Sequence, residues 1–584
     1  MRLAEIRDTK RDLYYFQLRL GVAGVLVLAA FTVLFGRFFY LQVIQHQYYD
    51  TKAEDNRISI VPNPPNRGLI LDRNGVVLAR NYSAYTLELT FSKIADLEST
   101  IDQLARIVDI QPRDRRRFQR LRDESKGRDT LPIRNRLTDE EVAKLAVNRY
   151  RLPGVDIKGR PFRQYPLGEV ASHVVGYISR IDDRDLERIE ESDQSGNYKG
   201  TDHIGKTGLE QRYEQALHGT TGFEQVETDA GGRIVPGRSG AHLAPRTPPV
   251  PGNNVALTLD IRLQEAAERA FGENRGALVA IEPATGGVLA FVSKPGYDPN
   301  VFIDGIDPAN WDALNNSPDK PLNNRALTGL YPPGSTFKPY MALAALELGT
   351  RTPSQTIFDP GYFVFGNNRF RDATAGGHGV VDMYKSIVVS CDTYYYMLAN
   401  DGVMFRPHLV DYIENPMTGE RAYVQPQAAK TIPLKGRNLE LIKRAMVGVN
   451  KEGTGARAFA GTSYVSAGKT GTAQVVALKQ NEKYSDATVA EHLRDHALFI
   501  AFAPADSPRI ALAVLVENAG FGARAAAPVA RKVLDYYLLG KRVDKPGETV
   551  RPAGKPKPAG PALGEPTGEP AQPVPATDED EAND

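Results

Sequence analysis

Three short motifs in this 584-residue chain carry side chains able to work on one another. Ser335-Thr336-Phe337-Lys338 follows Pro332-Pro333-Gly334; Ser390-Cys391-Asp392 follows an apolar stretch; Lys469-Thr470-Gly471-Thr472 opens a predicted strand. Proline and glycine stop the preceding chain, so Ser335 is expected to begin a helix. Its hydroxyl would then sit near free backbone N–H groups and the positive end of the helix dipole. Lys338, three residues on, falls on the same face and within reach of that hydroxyl. A serine needs a neighbouring base to act as a nucleophile. Lysine serves as that base if desolvation or a second cation lowers its pKa. Lys469 could be the second cation, or the group that binds a substrate carboxylate. Strand backbone after it supplies an amide for an oxyanion hole. A lone S-x-x-K is usually a solvated helix pair, and a lone S-x-D a cap or turn. All three in this order, one on a helix start and one on a strand, point to acyl transfer through a serine.

Elements must place these residues, and the chain supplies them. Hydrophobic residues make up 41% and charged residues 24%, an ordinary globular mixture. Lys+Arg 72 against Asp+Glu 71 leaves a net charge of +1, with no basic field to hold nucleic acid. The single cysteine excludes an intrachain disulfide but not an extracytoplasmic location. Residues 20–44 form a nearly uncharged apolar run, long enough to cross a ~30 Å hydrocarbon core if Arg37 snorkels. Arg2, Arg7, Lys10, Arg11 and Arg19 precede it, which places residues 1–19 in the cytoplasm and the rest outside. The apolar run is too long for a cleaved signal peptide, so it reads as an uncleaved, single-pass anchor.

Residues 60–250 read as an α+β module, with a hairpin around Asn74-Gly75 and charged, helical material over 92–147. Residues 255–540 read as a second α+β domain. Runs at 277–281 and 288–292, at 498–503 and 510–516, and a fifth at 472–476 would share one antiparallel sheet. Helices would be inserted between the hairpins, and a last helix would run from Ala526 to a cap at Gly540. Residues 541–584 are Pro/Gly-rich and acidic, a composition that stays disordered.

On these motifs the chain resembles the penicillin-binding proteins, the acyl-serine D,D-transpeptidases. RGLILDRNGVVLA (67–79), GKTGLEQRYE (205–214), GTTGFEQVETDAGGR (219–233) and TLDIRLQ (258–264) look like the non-catalytic pedestal and its junction. NRALTGLYPPGSTFKP and AGKTGTAQV look like the transpeptidase domain. No glycosyltransferase domain precedes the pedestal, as in class B. Asp392 in the second motif is similar to the elongation branch, penicillin-binding protein 2, where division relatives usually carry asparagine. The resemblance implies that Ser335 attacks the penultimate D-alanine of a peptidoglycan stem peptide, Lys338 takes its proton, and Ser390 relays it. Lys469 and Thr470 would hold the carboxylate, and the N–H groups of Ser335 and Thr472 would form the oxyanion hole, with Gly471 between. Penicillins would acylate Ser335. The implied partner is a RodA-type glycan polymerase in the bacterial inner membrane, with the C-terminal domains periplasmic.

Asp359, Asp372, His378 and Cys391 could together satisfy tetrahedral zinc, though their spacing is no metal signature. The resemblance implies a structural zinc on these four residues. One departure stands out. Tyr396-Met397-Leu398-Ala399-Asn400 runs straight into Asp401-Gly402-Val403, where relatives carry several tens of helix-rich residues. The helical lobe is therefore expected to be shortened. A catalytically impaired scaffold or activator of the polymerase is the alternative reading, and a β-lactam sensor or β-lactamase a third. GTDHIGKT (200–207) matches a phosphate loop literally, but polar DQSGNYK precedes it where a strand is required.

Overall fold

The structure is a computed structural model, described over residues 9–49, 58–124, 130–227, 247–359, 362–365, 368–371, 377–390, 403–405, 407–476 and 489–543. The chain forms two compact units: residues 1–65, 195–201 and 220–250, and residues 66–194, 202–219 and 251–584.

The first unit holds the apolar helix, which starts earlier than the sequence suggested. It runs Thr9–Phe39 and continues as a π-helical turn over Tyr40–Ile44. The segment apolar enough to cross a membrane is Leu13–Ile44, and its side chains are exposed. A strand, Ile58–Asn63, pairs antiparallel with Gly222–Glu227.

The second unit contains the five-stranded antiparallel sheet that was expected. Strands β1 (Gly276–Ile281), β2 (Val288–Lys294), β3 (Ala467–Ala473), β4 (His496–Ala503) and β5 (Ile510–Val516) lie in the order β2-β1-β5-β4-β3. Both faces are covered, so β1, β2, β4 and β5 read as nearly continuous apolar runs rather than alternating ones. Phe499 and Ala501 of β4 pack with helices α1 (Ile261–Phe271) and α4 (Ala526–Leu539). Ile500 and Phe502, pointing the other way, pack with α2 (Lys338–Glu347) and α3 (Gly436–Lys451). The helix α4 ends at Gly540, left-handed at φ 66°, as a C-cap requires.

The strand β3 corrects one expectation. It was placed at 472–476, after the lysine motif; it spans Ala467–Ala473 and carries Lys469, Thr470, Gly471 and Thr472 within the ladder. The hairpin at Asn74-Gly75 is present, joining Ile70–Leu71 to Val77–Thr90. The region 92–147 is not all helix: strand Thr130–Leu137 interrupts it and pairs with Val77–Thr90. Strand Asn254–Leu257 pairs with Ile70–Leu71 and with Val410–Glu414, so one sheet draws on the chain before and after residue 250.

Two of the quoted motifs meet at a buried ion cluster. Arg67 donates Nε to Glu210 at 2.7 Å and Nη2 to Glu214 at 2.7 Å; Arg163 donates Nε to Glu210 at 2.8 Å. Burial alone would raise the Glu210 carboxyl, but Arg163 and Arg67 pull it below the usual carboxylate range. Residues 391–402 and 544–584, which include the short junction and most of the tail, lie outside the described residues.

Candidate active site

Ser335 sits on a 3₁₀ turn, Gly334–Phe337, and α2 starts only at Lys338. Sequence reasoning had begun the helix at Ser335. Two glycines let this turn lie against the edge strand β3. Gly334 has φ +55°, and a Cβ there would stand 2.5 Å from the Thr472 carbonyl oxygen. A Cβ on Gly471 would stand 2.6 Å from the Thr336 methyl. Thr336 is buried and donates Oγ1 to Pro333 O at 2.6 Å, closing the turn from beneath. The Pro-Pro-Gly before Ser335 and the glycine of the lysine motif thus serve one contact.

Both lysines converge on Ser390, the last residue of helix Met383–Ser390. Lys338 Nζ donates to the Ser390 carbonyl at 3.0 Å. Lys469 Nζ lies 3.5 Å from Ser390 Oγ, and donates to Thr470 O at 2.9 Å and Thr470 Oγ1 at 3.2 Å. Lys469 is fully buried, and these oxygens satisfy its polar head. The expected contact between Lys338 and the Ser335 hydroxyl is replaced by the one to Ser390 O. Ser335, half-buried, makes no side-chain hydrogen bond with another described residue. Apo geometry of this kind tightens when substrate supplies the missing oxygen.

The edge position of β3 gives the site its amide donors. Among the described residues, β3 pairs on one side only, with β4. Alternate residues of an antiparallel strand turn both backbone groups away from the partner. The Thr470 carbonyl, taken by Lys469, and the Thr472 carbonyl, facing Gly334, are on that outer side. The Thr472 N–H shares the same parity and points toward the Ser335 turn.

Sequence reasoning missed Thr454. Its Oγ1 is 2.7 Å from Thr470 Oγ1, and its N–H donates to Val388 O at 3.4 Å. It therefore ties β3 to the helix that ends in Ser390. Nearby, Asn450 donates Nδ2 to Ser466 Oγ at 2.9 Å. No spacing in the chain signals Thr454, because its role depends on a tertiary approach across 16 residues. Ser386, which could pose as a second-motif serine, turns its hydroxyl to Met383 O. Lys206, of the phosphate-loop match, donates to Asp182 and Asp185.

Of the four candidate metal ligands, Asp359 and His378 come together. His378 N donates to Asp359 Oδ2 at 3.0 Å, and His378 Nδ1 lies 2.9 Å from the same oxygen. They flank the ribbon pairing Ile357–Asp359 with Gly379–Val381, whose carbonyls at His378 and Val380 accept from Lys385 Nζ. Asp372 and Cys391 lie outside the described residues, as does Asp392. Among the described residues no three metal-binding side chains converge.

Comparison with known proteins identifies the family. The penicillin-binding protein dimerisation domain matches residues 62–257. The penicillin-binding protein transpeptidase domain matches in two pieces, 276–400 and 394–535, which meet at the short junction after Asn400. Peptidoglycan D,D-transpeptidase MrdA of Escherichia coli K12 is 35% identical over 625 aligned residues, covering 93% of this chain and 97% of that protein. The Haemophilus influenzae MrdA is 35% identical over 614, covering 91% and 93%. Both alignments are longer than this chain, so the relatives carry residues it lacks. Pseudomonas aeruginosa PBP2, solved with WCK 5153, is 30% identical with a TM-score of 0.57, covering 84% of this chain and all of that one. Helicobacter pylori PBP2, solved with MreC, is 24% identical with a TM-score of 0.62 and attests the shared fold. A serine turn and a lysine-bearing edge strand meeting at Ser390, inside a chain matched almost end to end, place it in the penicillin-binding protein transpeptidase family, alongside the MrdA proteins.

Proposed function

We propose that this protein is a membrane-anchored peptidoglycan D,D-transpeptidase of cell elongation. The observation that carries the reading is the convergence of Lys338 and Lys469 on Ser390, beside the turn that presents Ser335 to the edge strand. Ser335 Oγ attacks the penultimate D-alanine carbonyl of a stem peptide. The C–N bond to the terminal D-alanine breaks, and an acyl-serine forms. Lys338 accepts the Ser335 proton, and Ser390, held between the two lysines, passes it to the departing amine. Lys469 and Thr470 hold the terminal carboxylate. The outward N–H of Thr472, with that of Ser335, stabilises the oxyanion. The amine of a second stem peptide then displaces Ser335 and completes the cross-link.

Penicillins would acylate the same serine. The basic residues before the apolar helix support a cytoplasmic N-terminus and periplasmic catalytic domains in the inner membrane. A RodA-type glycan polymerase is the partner this reading implies. Structural zinc on Asp359, Asp372, His378 and Cys391 also belongs to it. The close pair of Asp359 and His378 fits two such ligands, and zinc there would brace the ribbon ahead of the Ser390 helix. Elemental analysis of protein purified without chelator, beside His378→Ala, tests that part.

The test of function is intact mass of the full chain after penicillin, beside Ser335→Ala. A persistent single adduct, absent from the variant, is expected. No adduct from folded protein would overturn the reading in favour of a scaffold, and an adduct lost within seconds would favour a β-lactamase.

A further inference from the structure

Four arginines converge in the second unit, away from Ser335. Arg117 stands on helix Pro112–Glu124, Arg134 and Arg136 on strand Thr130–Leu137, and Arg180 on strand Ile178–Arg180. That last strand pairs with His203–Gly205, with Arg180 directly opposite His203. Asp304 is the hub: Arg136 Nη2 is 3.3 Å away, Asn135 Nδ2 donates at 3.2 Å, and His203 Nε2 is 4.0 Å away. Arg117 and Arg134 share Asp114 at 3.4 and 3.5 Å, and Arg134 reaches Glu141 at 3.8 Å.

These ion pairs are all longer than the ~2.7–2.9 Å of a good charge-assisted hydrogen bond. Arg180 has no carboxylate partner among the described residues. Four guanidinium groups face Asp114, Glu141 and Asp304, and Asp202 adds a carboxylate beside His203. The donors are also left over. Nε of Arg117, Arg134, Arg136 and Arg180 are buried and without a hydrogen-bond partner. Native proteins leave few such groups, and four in one place call for a shared acceptor. Burial lowers the Arg117 guanidinium, and Arg180 and Arg134 lower it further against the opposing pull of Asp304 and Asp114.

We propose that this cluster is a binding site for a phosphate group, seated among Arg117, Arg134 and Arg180. A phosphoryl group brings three or four acceptor oxygens, which suits forked arginine donors better than the two of a carboxylate. The Arg117 and His203 side chains are 23% and 27% exposed, so the edge of the cluster meets solvent. The phosphate comes either free from solution or from a lipid headgroup.

The test uses the full chain in detergent, unfolded thermally while inorganic phosphate replaces chloride at constant ionic strength. A saturable rise of about 2–4 °C is expected, since a ligand that binds only the folded state raises the midpoint. Arg180→Gln should abolish the rise, and the exposed Arg262→Gln should leave it intact. An unchanged rate of penicillin acylation shows that Arg180→Gln is folded. Should that variant not fold, Arg180→Lys keeps the charge, loses the fork and should weaken the response. Nanodiscs of phosphatidylglycerol against phosphatidylcholine separate the two sources: anionic lipid alone stabilises if the headgroup is the ligand, and added phosphate stabilises in either if it is free. No saturable response to phosphate or lipid, or one unchanged in Arg180→Gln and Arg180→Lys, would overturn the proposal.

Discussion

Thr454→Val removes one hydroxyl and keeps the shape. That hydroxyl lies 2.7 Å from Thr470 Oγ1, which in turn lies 3.2 Å from Lys469 Nζ. Thr470 is buried, so its Oγ1 cannot simply turn to water; Thr454 is half-buried, so some solvent can enter. The loss therefore falls near one neutral hydrogen bond, ~1 kcal/mol, rather than the full ~1–3 kcal/mol of an orphaned buried group. If Thr470 then rotates, Lys469 loses one of its oxygens and shifts relative to Ser390. Misplacement by an ångström can cost about 100-fold in rate. The expected outcome lies between these limits, a fall of about 5–30-fold in the second-order rate of penicillin acylation. Thr454→Ser should acylate within about twofold of the parent, because it keeps the hydroxyl. Stopped-flow acylation with a fluorescent penicillin reads this directly, with the thermal midpoint as a folding control. Full activity in Thr454→Val would refute the chain of hydrogen bonds as a positioning device. Equal damage in Thr454→Ser would show that the methyl packing, not the hydroxyl, matters.

Further outcomes follow from the same geometry. Gly334→Ala meets both a positive φ and the Thr472 carbonyl at 2.5 Å, so acylation should fall by more than about 100-fold and the thermal midpoint should fall with it. Ser390→Ala leaves the carbonyl that holds Lys338 and deletes only Oγ; it should still bind penicillin but acylate more slowly, visible as a lower kcat-type limit with a similar half-saturation concentration. Glu210→Gln leaves two buried arginines short of a charge and should cost roughly 3–5 kcal/mol in chemical denaturation. Because the Glu210 carboxyl is depressed in the fold, its contribution is present above the ordinary carboxylate value of ~4.3 and lost as pH falls through the folded one. The parent should therefore lose more stability than Glu210→Gln on acidification below about pH 4.5, and equal slopes would contradict the assignment.

The sheet and the three motifs were legible because local chemistry encodes them. Turn residues bounded the hairpins, and Pro-Pro-Gly announced the Ser335 turn. The strand β3 was misplaced because small residues from Ala467 to Ala473 give no β-branched run; its pairing comes from β4, not from its own propensity. The Lys338 contact was not legible because its partner, the Ser390 carbonyl, lies 52 residues on and only packing brings it there. Thr454 was invisible for a different reason: a threonine after a helix carries no periodicity, and only packing brings it to Thr470. The arginine cluster was hidden likewise, since its members come from separate elements and looked like ordinary surface charge.

The reaction centre occupies the last strand of its sheet. A peptide laid along Thr470–Thr472 would meet the outward Thr472 N–H beside the Lys469 and Thr470 side chains, with strand residues spaced about 3.3–3.4 Å apart. Recognition of that kind is blind to most side chains and strict about chain direction and extension. On the proposed function, the enzyme would accept stem peptides that differ in their middle residue while demanding an extended end with a free carboxylate. Resistance to a drug that borrows this grip cannot come cheaply from the strand itself, because a side-chain substitution leaves backbone amides in place; it has to come from the loops that frame the edge.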